Sequence, residues 1–499
     1  MNPYFIGLDI GTSAVKAVAY TASGRFSEKK SLAYPIQSSQ PGWQEQDPET
    51  VFNAAITVLR KLMAEKPVPP AFVALSSAMH SLLPLDKDGT PLTPLILWTD
   101  IRSADIAQNL KSTAEGKNIY RHTGTPIHPM SPLPKIAWLR EHRPDIFQKI
   151  HKFADIKTYL VYRLFGELLT DYSMASATGL FDAESLDWFG PSLDFAGISA
   201  DKLPALVSPF FVLKNLKKEF ARHLGMPAET PFVIGASDGC LANLGAGAMS
   251  PGQAVLSIGT SGALRMTTAQ PVQDVQERIF NYLLWNGVGE GSPVFITGGA
   301  SNNGAVVYEW FTRQFFGKKP GAKSMEQHRQ AMSGTTAGSD GLIFLPWLYG
   351  ERAPLWNARA QGVFFGLTER HTIPHFHRAV LEGILLNLAL IGQVLEEKIS
   401  PIGCIFANGG FTRMQSWVQM AADVFGTEVR IFENEDAPAL GAVITGMKAM
   451  GTETDFFMKN IQGTPVRIFH SDENNHRMYR SQLEMFRELA GRLEGMFGK

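Results

Sequence analysis

The sequence predicts an α/β protein of two lobes around a central cleft, and three observations carry that reading. Short apolar runs rich in β-branched and aromatic residues alternate with longer stretches of helical period, the pattern of sheets layered with helices. Asp9-Ile10-Gly11-Thr12-Ser13 is echoed in the second half by Ile258-Gly259-Thr260-Ser261-Gly262, each after an apolar run, so both halves carry one device and face one ligand across a cleft. The chain of 499 residues also exceeds a single compact core, because domains usually run roughly 100 to 200 residues.

Residues 4–9, 16–20, 71–75, 232–236, 254–258, 404–407 and 429–432 read as buried strands whose ends meet Gly, Ser, Thr or Asp. Residues 51–66 carry apolar side chains at helical spacing, as do residues 378–395, where Leu381, Ile384, Leu385, Leu388 and Ile391 recur. Gly245-Ala246-Gly247-Ala248 and Ser250-Pro251-Gly252 supply turn and hinge chemistry. The boundary is therefore set there, giving an N-terminal lobe of residues 1–247 and a C-terminal lobe of residues 248–499.

An apolar share of 44% and a charged share of 19% are those of an ordinary globular protein. A formal net charge of -1 supplies no field to attract nucleic acid or an anionic membrane. No run of about 18 uninterrupted apolar residues is present, so no membrane span is expected. Two cysteines, Cys240 and Cys404, offer neither a disulfide framework nor metal-ligand spacing. Phe5 to Leu8 runs into Asp9 too early for a signal peptide, and the expected location is cytoplasmic. Oligomeric state is left open, with a homodimer allowed.

Tight Gly-Thr/Ser turns after strands aim backbone N–H groups and hydroxyls at phosphate oxygens. One such turn is ordinary; two at matching positions point to a phosphate ligand. Asp9, beside the first turn, would be repelled by phosphate unless a cation intervened, so it is a candidate to hold Mg²⁺ through water. Lys16 is either a phosphate contact or a solvent-facing strand residue. No G-x-x-x-x-G-K-[ST] occurs and no G-x-G-x-x-G follows a strand, which removes the P-loop and Rossmann readings. The paired H-R-D and D-F-G motifs of protein kinases are also missing.

The run Phe232-Val233-Ile234-Gly235-Ala236-Ser237-Asp238-Gly239 drives an apolar strand into one carboxylate among small residues. Asp238 is either a base that takes a proton from an acceptor hydroxyl or a cap on the helix that follows. Asn408-Gly409-Gly410-Phe411 places paired glycines where a flat base can lie against the backbone, or simply turns the chain. The segment from Gly298 to Gly304 opens a helix with polar residues, among them Asn303.

These motifs resemble the FGGY carbohydrate kinases, the family of glycerol, xylulose and gluconate kinases. The segment from Met130 to His142 is similar to the family's first signature. Gly362-Val363-Phe364-Phe365-Gly366-Leu367, followed by His375-Phe376 and Ala379-Val380-Leu381-Glu382, is similar to the second. Within the family, Ser76-Ser77-Ala78-Met79-His80-Ser81, the run from Arg121 to Met130 and the run from Glu351 to Asn357 resemble the gluconate branch. Xylulose kinases usually carry Gly-Gln where this chain has Ser77-Ala78.

The resemblance implies two actin/hexokinase-like (ribonuclease H-like) lobes that clamp ATP and Mg²⁺. It implies phosphate contacts from Thr12, Ser13, Lys16, Gly259, Thr260 and Ser261, and further nucleotide contacts from Asn303, Gly304, Gly409 and Gly410. Metal binding would fall to Asp9. Met79, His80, Trp98, Asp100 and Arg102 would line the sugar site, with Asp238 as base for phosphoryl transfer from ATP to the 6-hydroxyl of D-gluconate. A gluconate carboxylate needs a local cation, and Arg102, Lys157, His80 and His128 are the candidates. Two other readings are a xylulose, polyol or ketose kinase of the same family and a non-catalytic nucleotide-dependent switch. Asp238 argues against the switch, which needs no base.

Overall fold

The computed structural model describes residues 3–287, 292–316, 334–432, 436–452, 454 and 466–497. Its first sheet contains β1 (Tyr4–Ile10), β2 (Ala14–Thr21), β3 (Phe26–Ala33), β4 (Phe72–Ser77), β5 (Val212–Leu213) and β6 (Phe232–Ser237). They lie in the order β5-β6-β4-β1-β2-β3. The first three form an antiparallel meander, while β4 and β6 add parallel to β1 and β5 closes the edge antiparallel.

The second sheet contains β7 (Gln253–Ile258), β8 (Gly262–Thr268), β9 (Phe280–Trp285), β10 (Val294–Ser301), β11 (Cys404–Asn408), β12 (Glu428–Ile431) and β13 (Arg467–Phe469). Its order is β9-β10-β8-β7-β11-β12-β13. Again a meander, β7-β8-β10, is extended by two parallel strands and an antiparallel edge strand. Only β9 has no counterpart in the first sheet. The repeated Gly-Thr-Ser turns therefore occupy the same place in both, between the first two strands, and all seven expected strands lie in these sheets.

Alternation along β1 sends Ile6, Leu8 and Ile10 to one face and Phe5, Gly7 and Asp9 to the other. The first face packs under α1 (Pro48–Met63), which buries Val51, Phe52, Ala55, Val58, Leu59 and Leu62. Each such side chain contributes about 1.5–3 kcal/mol when fully buried. Asp47 caps α1 by accepting from the Glu49 and Thr50 N–H groups, and Pro48 presets the first turn, so the helix starts earlier than periodicity alone suggested. The longest helix, α3 (Ile373–Lys398), is long and apolar enough to cross a membrane by composition, yet 89% of its apolar window is buried inside the protein. It is a core helix.

Two helices join the halves. The helix α2 (Asp238–Ala246) follows β6, and α4 (Ala437–Ala449) comes from the second half but packs on β1 and β4 of the first sheet. They cross with their backbones in contact. A Cβ on Gly245 would lie 1.9 Å from the Ala437 carbonyl oxygen, and one on Gly441 would lie 2.1 Å from that of Leu241. Alanine favours an isolated helix over glycine by about 1 kcal/mol, but here its methyl group meets rigid backbone. Gly441→Ala is therefore expected to destabilise the protein by about 1–3 kcal/mol and lower its thermal midpoint; a midpoint that rises would show that the helices separate at no cost.

Candidate active site

The first hairpin turn is held from several sides. Gly11 N–H donates to the Ala14 carbonyl at 3.0 Å, Gln46 Nε2 donates to the Thr12 carbonyl at 2.7 Å, and the Tyr34 hydroxyl donates to the Gly11 carbonyl. Trp98 Nε1–H donates to Thr12 Oγ1 at 2.9 Å, so Trp98 fixes the turn as well as facing the cleft. Ser13 is exposed beside it. In the second turn Gly259 N–H donates to the Ser261 carbonyl at 3.0 Å, and the N–H groups of Ala305 and Val306 donate to the Gly259 and Thr260 carbonyls at 2.7 and 3.2 Å.

Asn303 and Gly304 sit behind that second turn. A Cβ on Gly304 would lie 2.5 Å from the Ser261 carbonyl oxygen. Asn303 is fully buried and spends its amide on the Gly350 carbonyl, 2.7 Å, and Glu351 Oε2, 3.2 Å. The structure thus commits the Asn303 side chain to Gly350, Glu351 and the Tyr349 N–H, while Gly304 packs on the Gly259–Ser261 turn.

Asp9, Lys16 and Asp436 form one charged cluster. Ser76 Oγ–H donates to Asp9 Oδ1 at 2.8 Å, while Lys16 Nζ lies 3.4 Å from Asp9 Oδ2 and 2.8 Å from Asp436 Oδ2. Asp9 is pushed up to about 7, chiefly by burial and then by the Asp436 charge, with Lys16 offsetting part of both. Burial opposes the charge on Lys16, yet Asp9 and Asp436 outweigh it and raise its pKa. Asp436 also accepts from Ala439 N–H as the cap of α4. Among the described residues no cluster of three or more ligand-type side chains exists. A pair of neighbouring carboxylates nevertheless suits Mg²⁺, which keeps most of its waters and takes one or two carboxylates plus phosphate oxygens.

Two cavities flank this cluster. One, of about 520 Å³, brings Lys16 and Asp436 together with Gly409, Gly410 and Arg413. Gly409 adopts a φ of 98°, and a Cβ there would lie 2.5 Å from the Ile258 carbonyl oxygen, so only glycine lets the late turn press on the end of β7. The other cavity, of about 130 Å³, gathers Thr12, Met79, His80, Trp98, Asp238 and Ser261. The second half adds Arg265, Tyr282, Arg352 and Trp356 to its walls. Asp9 feels the charges of both Asp436 and Asp238, which places it electrostatically with each cavity.

Asp238 is the first residue of α2. Ser237 holds the cap position and makes no side-chain capping bond, whereas Asp238 Oδ1 accepts from Gly239 N–H at 2.7 Å. Burial raises its pKa, against the pull of Arg265 and of the Gly239 N–H. Its strand is anchored beneath by Ser173 Oγ on Ser237 Oγ at 3.0 Å and by Lys157 Nζ on the Ala236 carbonyl at 3.2 Å.

His80 has a φ of 70°, and its Nδ1–H donates to the Ala177 carbonyl at 2.6 Å. Burial, then the Lys135 and Arg352 charges, push it down to about 3, so the ring is neutral and Nε2 is its acceptor. Lys135 is itself fully buried and donates to the His80 and Met130 carbonyls at 2.8 and 2.6 Å; burial pushes it down to about 7. A lysine of the first family-like segment thus pins the backbone of two residues that line the smaller cavity, His80 and Met130.

Arg102 does not line the cavity. Its side chain is 3% exposed, donates to Glu45 Oε1 at 2.6 Å and Asp100 Oδ2 at 2.7 Å, and lies 3.7 Å over the Trp43 ring. Asp100 is consumed by the same contacts and by Gln44 N–H. Lys157 is likewise taken, by Asp171 at 2.5 Å. Sequence reasoning passed over Asp436, Arg265 and Arg352. Asp436 precedes Ala437-Pro438, a helix-start signal, and Arg265 follows Ser261 at the even spacing that keeps strand residues on one face.

Residues 4–245 match the FGGY family of carbohydrate kinases, N-terminal domain, and residues 254–450 match its C-terminal domain. A gluconokinase of Bacillus subtilis (strain 168) is 38% identical, covering 100% of this chain and 97% of that protein. Two solved structures from Lactobacillus acidophilus, a gluconate kinase and a ligand-bound xylulose kinase, each superpose with a TM-score of 0.92 at 32% identity. They cover 100% and 99% of this chain respectively, and each is itself covered to 99%. Matched through both halves and by a full-length relative, the chain belongs to the FGGY family of carbohydrate kinases.

Proposed function

We propose that this kinase transfers the γ-phosphoryl group of ATP to the 6-hydroxyl of D-gluconate, yielding 6-phospho-D-gluconate and ADP. The observation that carries the reading is the smaller cavity, where a half-buried carboxylate at a helix N-terminus, Asp238, shares its walls with two guanidinium groups. Full-length likeness to a gluconokinase supports the choice of acceptor. The acceptor oxygen attacks the γ-phosphorus as the bond to the β–γ bridging oxygen breaks, and Asp238 takes the hydroxyl proton. Arg265 and the Gly239 N–H at the helix N-terminus oppose the rise that burial imposes on the Asp238 pKa. Thr12, Ser13, Gly259, Thr260 and Ser261 hold the phosphates, while Gly409 and Gly410 receive adenosine. Asp9 and Asp436 would hold Mg²⁺, which would neutralise phosphate charge, and Lys16, held between the two carboxylates, lies beside them.

A ketose or polyol such as xylulose is the second reading, favoured by the equal likeness to a structure titled xylulose kinase. We take the lobes as residues 1–247 and 248–499, with the hinge at Gly247 and Gly252, both in the left-handed region. Cys240 and Cys404 are buried free thiols, which supports a cytoplasmic location.

In a panel of D-gluconate, xylulose, glycerol, ribulose and fuculose, gluconate is expected to give the highest kcat/KM. A tenfold preference for xylulose or glycerol, about 1.4 kcal/mol in transition-state binding, would replace the first reading with the second. Asp238→Asn should lower kcat by about 10² to 10⁴ while MgATP affinity and thermal midpoint hold; near-parental kcat in a stable variant removes Asp238 from the mechanism. Because phosphate turns from two lobes meet one triphosphate only in a shut cleft, gluconate with a non-hydrolysable ATP analogue should shrink the radius of gyration in small-angle scattering. An unchanged profile counts against closure.

A further inference from the structure

The cations around the acceptor cavity differ in how far the protein has already neutralised them. Arg102 is committed to Glu45 and Asp100, Lys157 to Asp171, and Lys135 to two backbone carbonyls. His80 is neutral. Two guanidinium groups from the second half stand apart. Arg352 is 7% exposed and donates from Nη2 to the Ser301 carbonyl at 3.1 Å, but among the described residues its buried Nε–H has no partner. Its neighbour Glu351 gives its carboxylate to Ser301, Asn303, Asn387 and the Asn302 and Arg352 N–H groups instead. Arg265 reaches Ser257 Oγ only at 3.5 Å.

Both groups line the acceptor cavity, and Asp238 is the one carboxylate among its described lining. A neutral acceptor offers the unpartnered Arg352 Nε–H and the neighbouring Arg265 no charged group to bind, whereas an acceptor with one carboxylate does. Gly239 is part of the arrangement. A Cβ there would lie 2.9 Å from Met79 Cε and 3.4 Å from Arg265 Nη2, so the missing side chain leaves the room that the guanidinium occupies beside Asp238.

We propose that Arg352 and Arg265 together receive the carboxylate of the acceptor, and that this pair, rather than any cation of the first lobe, selects a sugar acid over the corresponding neutral sugar. The inference rests on the sugar-acid reading above. Once bound, the carboxylate pairs with Arg352 Nε and with the face of Arg265 turned away from Ser257, and the chain of the substrate runs on to place its far hydroxyl at Asp238.

The test is calorimetric binding of D-gluconate and of D-glucitol, which carries CH₂OH in place of the carboxylate, to the nucleotide-free enzyme. The variants are Arg352→Gln, Arg352→Lys and Arg265→Gln, with MgATP affinity and thermal midpoint measured beside them. Each glutamine variant is expected to lose about tenfold or more in gluconate affinity and to leave glucitol and MgATP binding near parental, with Arg352→Lys falling between. Gluconate affinity that survives both glutamine substitutions overturns the proposal, as does an equal loss for both ligands. A loss confined to MgATP also overturns it and gives the guanidiniums to the transferred phosphate. A parent enzyme that neither binds nor phosphorylates gluconate overturns the sugar-acid reading itself, and that failure appears before any variant is made. Should Arg352→Gln not fold, Arg265→Gln alone decides.

Discussion

The backbone contact between α2 and α4 is the constraint on which the rest of the site depends. One helix opens on Asp238 and the other is capped by Asp436, so the crossing fixes the distance between the carboxylate of one cavity and that of the other. Because glycines set that crossing, the helices meet main chain to main chain and leave no side chain to rotate away. Lys16 then ties β2 to the start of α4 through Asp436, and Ser76 ties β4 to Asp9. Strand ends, helix starts and charges are placed by one contact.

That geometry divides the cleft electrically. Beside one cavity stand two acids and a lysine, Asp9, Asp436 and Lys16. Around the other, two guanidiniums, Arg265 and Arg352, share the walls with one carboxylate, Asp238. Buried charges of this kind cost several kcal/mol of desolvation each unless paired. Under the proposed function, ligands that pair with these groups offset that cost and favour the bound form over the empty one.

Much of this was legible in the chain before any coordinates. The repeated Gly-Thr-Ser turns announced two related halves, because each sets small residues at the same offset from an apolar strand, and each lies between the first two strands of its sheet. Met79, His80, Trp98 and Asp238, singled out by the company they keep along the sequence, line one cavity. The exposed β3, Phe26–Ala33, was outside that reading because a strand with three charged residues and an open face lacks the apolar run that marks a buried one. Arg102 misled for a different reason: what consumes it, Glu45 and the Trp43 ring, lies far away in sequence, and only folding shows that the charge is spent. Asp436 and Arg352 were hidden in the same way, since a role shared with a partner in the other half has no local signature.

The helix α3 carries a consequence for how the chain is made. Its apolar surface is covered by strands that precede it, β8 and β10, and by helices that follow it, Gln415–Phe425 and Glu473–Glu494. A chain emerging from the ribosome displays α3 before those later helices exist. For that interval it exposes a segment with the composition of a membrane span, and α/β proteins of this size are at their most prone to aggregation when such surface is uncovered. The first sheet waits as well, because α4, which covers its inner face, is translated near the end. Neither lobe completes its core until nearly the whole polypeptide has been synthesised, so the order of synthesis and the order of assembly are bound together by the same interleaving that makes the cleft.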